Sequence, residues 1–184
     1  NRNINFTNRC IGDCKFCAFR SGSGYMLTID EIISKVEEAY KLGATEVCIQ
    51  GGLARSLKVE NYCEILEDIK SNFPKMHIHA FSPMEVLHMS KNSGVDEAAA
   101  LRELRKSGLD SMPGTAAEIL IDRVRRLICP SKLDSERWAE IVKTAHRLGI
   151  PTTATMMYGH IETEEEQIGH ILKICLLYTS PSPR

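Results

Sequence analysis

Three cysteines within eight residues are the feature of this sequence with the clearest chemistry. Cys10, Cys14 and Cys17 follow the spacing C-x3-C-x2-C. Three thiolates on one short loop can bind three irons of a cubane 4Fe-4S cluster and leave the fourth iron without a protein ligand. An iron without a protein ligand can accept an exchangeable one. The spacing therefore predicts a 4Fe-4S cluster with one open coordination position.

Other interpretations of the cysteine triplet remain open at this point. Structural zinc prefers four nitrogen or sulfur ligands, usually as two close pairs. Cys48 and Cys63 cannot supply the second pair, because they lie on a predicted strand and a predicted helix. An electron-transfer module of the ferredoxin type would use four cysteines per cluster. Chemically inert thiols are the remaining alternative.

Two glycine-containing turns follow predicted strands. Gln50, Gly51 and Gly52 end the second strand, where glycine lets backbone N–H and C=O groups approach a ligand closely. Taken alone, such a turn is more often structural than functional. Gly159 and Glu162 follow the last strand, and the acidic residue there is equally consistent with the start of a helix, where negative charge is favourable.

Further polar residues follow the third and fourth predicted strands. His77 and His79 lie on one strand face, an arrangement that also begins the metal site of some barrel hydrolases. Hydrogen bonding in a barrel interior explains them equally well. Asp110, Ser111 and Glu118 are candidate ribose or substrate ligands, with turn formation and helix capping as the alternative.

An alternation of strand-like and helix-like segments must position these residues. Thr28 and Glu31 form a capping box that predicts a helix start, and Gly43 is placed to end that helix. Helical periodicity also runs through residues 62–69, 96–106 and 138–148. Five strands are predicted, at residues 3–7, 46–50, 76–81, 109–112 and 152–158.

Strands that alternate with helices predict an α/β fold with a parallel sheet. Each predicted strand ends in a polar or Gly/Pro-containing turn, which favours a (β/α) barrel over an open doubly wound sheet. A complete barrel needs roughly 250 residues, so we expect a barrel truncated to about its first five or six βα units. We expect residues 1–174 to form this core and residues 175–184 to be an irregular tail, possibly of foreign sequence.

Composition indicates small-molecule chemistry. The net charge of −1 supplies no basic field for nucleic acid or an anionic membrane. No apolar run approaches the length of a membrane span, and no signal-peptide pattern is present, so we expect a cytoplasmic protein. The chain has 7 cysteines. We expect the four outside the triplet to be small buried hydrophobic residues rather than disulfide partners.

The cysteine triplet resembles that of the radical S-adenosylmethionine (SAM) superfamily. The resemblance implies that SAM chelates the open iron through its amino and carboxylate groups, and that one electron from the cluster releases a deoxyadenosyl radical. It also implies that Phe16 lies beside the adenine and that Gly51 and Gly52 bind the SAM amino group, although Leu53 stands where many relatives have Glu. The other residues assigned to SAM by this resemblance are Gln50, Ser82, Glu118 and Gly159.

Longer motifs resemble the family that contains the deazaflavin (FO) synthases and the futalosine enzymes of menaquinone synthesis; FO is the precursor of coenzyme F-420. Met112–Glu118 is most similar to the CofH type of FO synthase subunit. The motifs are residues 3–8, 17–20, 50–52, 77–83, 111–120 and 152–160.

This resemblance implies a reaction and its partners. The radical would cleave L-tyrosine and transfer its 4-hydroxybenzyl group to 5-amino-6-(D-ribitylamino)uracil. A second radical SAM subunit of the CofG type would act on the product, and flavodoxin or ferredoxin would supply electrons. A cyclic dehypoxanthinyl futalosine or aminofutalosine synthase is the alternative enzyme.

Overall fold

The computed structural model describes residues 1–18 and 24–179. Phe19 and Arg20, which belong to one of the family-like motifs, lie outside these ranges. In the described residues, three strands alternate with helices in the first half of the chain and helices dominate the second half. The elements are β1 Arg2–Thr7, α1 Ile29–Lys41, β2 Glu46–Gly51, α2 Val59–Asn72, β3 His77–Ala80, α3 Pro83–Ser93, α4 Glu97–Lys106, α5 Asp122–Ile128, α6 Ser135–Arg147 and α7 Glu164–Thr179.

The three strands form a parallel sheet in the order β1-β2-β3. Ile4 is paired with Ile49, and Val47 with Ile78. Side chains alternate between the two faces of a strand, so one face of the sheet is apolar and packs against the helices. The other face is polar and half-buried, with Asn5, Cys48, Gln50, His77 and His79. This second face is the inner face of the predicted barrel.

Local sequence signals account for several helix ends. Thr28 and Glu31 form the predicted capping box of α1, and Gly43 follows that helix with φ 82°. Asp96 caps α4 by accepting a hydrogen bond from the Ala99 N–H. The predicted capping box of α1, the glycine after it and the helix over residues 96–106 are confirmed. Helix α3 was not predicted, although its own capping box is present in the sequence.

Three aromatic rings hold the first strand against the helices. Phe6, Tyr62 and Phe81 pack edge to face, with ring centroids 4.8 to 6.3 Å apart. All three side chains are fully or almost fully buried. Phe81 has φ 61°, a left-handed conformation that costs a non-glycine residue energy. Packing of the Phe81 ring in this cluster offsets that cost.

The fourth and fifth predicted strands are present only as single bridges. Ser111 is bridged in parallel to His79, and Met112 to Thr152. The prediction of two further full strands is therefore wrong in extent. The fourth segment lies beside β3, and the fifth lies beside the fourth. Pro113 has no N–H to donate to a ladder, and Gly114 fits only because it has no side chain.

The C-terminal segment differs from the expected irregular tail. Helix α7 continues to Thr179, so residues 175–179 are helical rather than irregular. Residues 180–184 lie outside the described residues. Among the helices that the structure describes, none is long and apolar enough to cross a membrane.

Candidate cofactor site

A cavity of about 270 Å³ opens at the carboxyl ends of the three strands. All three cysteines of the triplet line it. Six of the seven residues that were assigned to SAM by resemblance line it as well, which are Phe16, Gln50, Gly51, Gly52, Ser82 and Glu118. Sequence-distant turns thus meet at the edge where parallel α/β enzymes bind their ligands.

A larger groove of about 640 Å³ lies beside this cavity and shares Met84, Ser131 and Lys132 with it. Among the described residues that line the groove, the only cysteine is Cys129, which is buried. The smaller cavity is therefore the one with the residues suited to hold an iron-sulfur cluster.

Backbone hydrogen bonds fasten the cysteine loop to two other parts of the chain. The Ile11 N–H donates to the Leu53 carbonyl at 3.1 Å, and the Lys15 N–H donates to the Ile128 carbonyl at 2.8 Å. Asp13 accepts a hydrogen bond from the Ser131 hydroxyl. The loop is thereby positioned between the turn after β2 and the end of α5.

The three thiols differ in exposure. Cys14 is buried, Cys10 is half-buried and Cys17 is exposed. Burial raises the pKa of the Cys14 thiol to about 11, although the nearby Lys132 ammonium opposes the shift. In the described ranges, no three His, Cys, Asp or Glu side chains converge as the ligands of a single metal ion. Thiols that each bind a different iron of one cubane need not converge on one point.

The turn after β2 lies directly against the cysteine loop. A Cβ atom on Gly52 would be 2.3 Å from the Arg9 carbonyl oxygen and 2.9 Å from the Cys10 Cβ. The Gly52 N–H donates to the Thr7 carbonyl at 2.9 Å. Glycine is required here because the Arg9 carbonyl and the Cys10 Cβ occupy the space of a side chain.

We expect Gly52→Ala to displace the cysteine loop. The clash is with backbone, which cannot rotate away, so the variant should lose about 1 to 3 kcal/mol of unfolding free energy and bind less iron after reconstitution. Gly169→Ala is the matched control, because its added methyl group would meet only the Ile121 side chain at 3.2 Å. Denaturant unfolding and iron analysis measure both effects. Equal behaviour of the two variants would contradict the expectation.

A buried ion pair forms another wall of the cavity. The Lys132 ammonium is paired with the Glu118 carboxylate, and both side chains are largely shielded from solvent. Burial lowers the pKa of Lys132, but the Glu118 charge and hydrogen bond outweigh it, so the pKa is raised overall. The same ammonium lies 5.3 Å from the centre of the Phe16 ring. Lys132 therefore connects Glu118 to the aromatic ring of the cysteine loop.

An unusual backbone path presents Glu118 to the cavity. Ala116 and Glu118 have φ values of 65° and 47°, which are strained for non-glycine residues. The buried Arg125 guanidinium donates to the carbonyls of Ala116, Ala117, Ile119 and Leu133. These bonds hold the strained segment in place.

One buried polar atom in this segment has no partner within the described residues. The Thr115 Oγ1 atom is shielded from solvent and makes no hydrogen bond. Thr115 lines the cavity. Buried polar atoms are nearly always hydrogen-bonded, so an unpartnered hydroxyl at a cavity wall fits a polar ligand. The three thiols and this unpartnered hydroxyl make the cavity wall compatible with a 4Fe-4S cluster and SAM.

Gly159 is the predicted cofactor residue that the structure does not bring to the cavity. Its N–H donates to Glu162, whose carboxylate also accepts from the backbone N–H groups of His160 and Ile161. These bonds build a turn just before α7. The structural interpretation accounts for the contacts of Glu162, and the assignment of Gly159 to the cofactor stays a prediction.

The polar residues after β3 also have structural partners. Asp110 pairs with Lys70 at 2.6 Å and accepts from the Ile78 N–H at 2.7 Å. The Ser111 Oγ lies 2.7 Å from a ring nitrogen of both His77 and His79. The histidines thus meet a hydroxyl on the inner face.

Sequence reasoning missed Glu85 and Lys132, which both line the cavity. A signal for Glu85 existed, because Ser82 and Glu85 have capping-box spacing. No local pattern marks Lys132, which is brought to the site by the loop between α5 and α6.

The folded chain also resembles a solved structure. The crystal structure of methylornithine synthase (PylB) aligns with a TM-score of 0.78 at 16% identity, covering 96% of this chain and 50% of that one. The α/β fold with a parallel, barrel-like sheet is thereby confirmed. A barrel-like sheet with a cysteine triplet at its strand ends is the arrangement expected of a barrel enzyme that binds an iron-sulfur cluster. The family profile described as the Radical SAM superfamily matches residues 4–174, and the chain belongs to that superfamily.

Curated relatives are much closer in sequence. The 5-amino-6-(D-ribitylamino)uracil–L-tyrosine 4-hydroxyphenyl transferase 1 of Methanosarcina barkeri is 64% identical over 95% of this chain and 46% of its own length. The similarly named transferase of Archaeoglobus fulgidus is 59% identical over 95% of this chain and 51% of its own. The chain spans about half the length of these relatives.

Proposed function

We propose that this chain is part of a cytoplasmic radical SAM transferase of deazaflavin synthesis. Its substrates would be L-tyrosine and 5-amino-6-(D-ribitylamino)uracil, the compounds in the names of the relatives. The observation that carries the proposal is that Cys10, Cys14 and Cys17 line one cavity with the turns that the family resemblance assigns to SAM.

The chain's own residues would hold two cofactors at this cavity. Cys10, Cys14 and Cys17 would bind three irons of a 4Fe-4S cluster. The glycine turn after β2 leaves room for SAM beside the cluster, and the Thr115 hydroxyl supplies an unsatisfied hydrogen-bonding group. When bound, the cluster and SAM supply the deoxyadenosyl radical, since cofactors provide the difficult chemistry in such enzymes.

The remaining residues would orient the ligands and exclude water. Phe16 offers an aromatic face to the adenine, and Glu118 offers carboxylate oxygens to ribose hydroxyls. The polar inner face of the sheet continues from Gln50 to Cys48 and His79. Substrates would bind along this face, close to the cavity. A flavodoxin or ferredoxin would supply the electron, and a second radical SAM subunit would consume the product.

The test is an anaerobic assay of a chimera in which this chain replaces the matching segment of the Methanosarcina barkeri transferase. When the chimera is incubated with SAM, L-tyrosine and 5-amino-6-(D-ribitylamino)uracil, we expect mass spectrometry to detect a tyrosine-derived adduct of the uracil. The unmodified relative is the positive control. A chimera that forms no adduct while the relative does, or that turns over a futalosine-type substrate instead, would contradict the proposal.

A further inference from the structure

Glu85 is a buried carboxylate that has no role in the proposed reaction. It belongs to the capping box of α3, in which the Ser82 N–H and hydroxyl both donate to Glu85 Oε2 at 2.7 Å. In the capping box of α1, the Thr28 N–H donates to the Glu31 carboxylate and the Thr28 hydroxyl accepts from the Glu31 N–H. Glu31 is exposed, whereas Glu85 is only 2% exposed. Helix capping alone does not require a buried carboxylate, since the exposed box caps its helix as well.

Glu85 makes one contact beyond its own helix. Its Oε1 accepts a hydrogen bond from the Gly51 N–H at 2.9 Å. Gly51 belongs to the turn that lies against the cysteine loop, and Glu85 itself lines the cavity. Through these hydrogen bonds, the carboxylate links the end of β2 to the start of α3 at the cavity wall.

The negative charge of the buried Glu85 carboxylate is incompletely compensated by its surroundings. Burial raises the pKa of Glu85 to about 7, opposed by the bonds from Ser82 and Gly51 and by Lys132. Lys132 already pairs with Glu118. Among the described residues, Tyr62 and Cys48 also interact with Glu85; burial raises the pKa of each, and the Glu85 charge raises both further. A cation in the cavity would therefore stabilise the ionised form of Glu85.

We propose that Glu85 is a positioning residue that fixes the Gly51–Gly52 turn and selects a cationic ligand at the cavity. The inference rests on the proposed function, because SAM carries a sulfonium charge that its thioether analogue S-adenosylhomocysteine lacks. The two compounds share the adenosine, amino and carboxylate groups. A purely structural role would affect both equally, whereas the charge of Glu85 acts on SAM selectively.

Titration calorimetry of the anaerobically reconstituted chain tests this selection. At pH 8, Glu85→Gln should weaken SAM binding by about tenfold and S-adenosylhomocysteine binding by much less. The matched control is Glu31→Gln, which alters an exposed capping box and should leave both affinities unchanged. Equal weakening of the two ligands by Glu85→Gln would overturn the selective role of Glu85. Failure of the unaltered protein to bind SAM would instead overturn the proposed function.

If Glu85→Gln does not fold, the pH dependence of SAM affinity in the unaltered protein tests the same proposal. Protonation of Glu85 removes its charge, so SAM affinity should fall as the pH drops through about 7. Ser82→Ala keeps the carboxylate but removes the hydroxyl that donates to it at 2.7 Å. The carboxylate is then protonated at a higher pH, and the midpoint of the SAM profile should move upward. An unchanged midpoint in Ser82→Ala would overturn the inference.

Discussion

Replacement of Cys17 by serine is expected to abolish the 4Fe-4S cluster, although Cys17 is exposed and contributes little to packing. A serine hydroxyl is a poor substitute for a thiolate on iron, and two remaining cysteines cannot hold a cubane with an open corner. Reconstituted protein should fall from about four irons per chain to almost none and lose the broad absorbance of the cluster.

Cys175 provides the matched control, because it is also an exposed cysteine but lies on α7, outside the cavity. Cys175→Ser should retain its full iron content and absorbance. Circular dichroism of the iron-free proteins checks that both variants are folded. A cluster that survives Cys17→Ser, or that is lost in Cys175→Ser, would contradict the assignment of the ligands.

Arg125→Ala is expected to lower the free energy of unfolding by about 3 kcal/mol or more. The guanidinium is only 3% exposed and donates to four carbonyls of the segments on either side of α5. Its removal leaves these buried acceptors unsatisfied and releases the strained path through Ala116 and Glu118. The loss should therefore also weaken SAM binding.

Arg126 is the control for this experiment, since it is the next residue on the same helix and its side chain is exposed. Arg126→Ala should change the unfolding free energy by no more than about 0.5 kcal/mol. Urea unfolding followed by circular dichroism measures both variants. A difference of less than about 1 kcal/mol between them would show that Arg125 does not support this segment.

The cysteine triplet and the capping box of α1 could be predicted because their signals are local. Thr28 and Glu31 bond to each other's backbone, and the cysteine spacing needs no other part of the chain. The positions of the first three strands followed from the alternation of apolar and polar residues. Strand ends in a parallel sheet meet at one edge, so the glycine turn and Ser82 could be placed near the cysteines.

Interactions over long sequence distances could not be predicted in the same way. Lys132 reaches Glu118 and Phe16 only because the loop after α5 folds back over the cavity. The exposure of Cys175 was also missed, since its apolar neighbours suggested burial like that of Cys129. The short fourth strand reflects Pro113 and Gly114, whose effect on pairing depends on the neighbouring chain.

The contacts of Ser111 constrain where protons can lie on the inner face. A hydroxyl carries one hydrogen, so it cannot donate to His77 and His79 at the same time, and at least one ring must donate to its oxygen. In that ring, if it is neutral, the opposite nitrogen has no hydrogen and keeps a lone pair. Burial lowers the pKa of His79, which favours its neutral form. When His79 is the ring that donates, its neutral form leaves a basic nitrogen that could receive a proton from a molecule bound against the sheet.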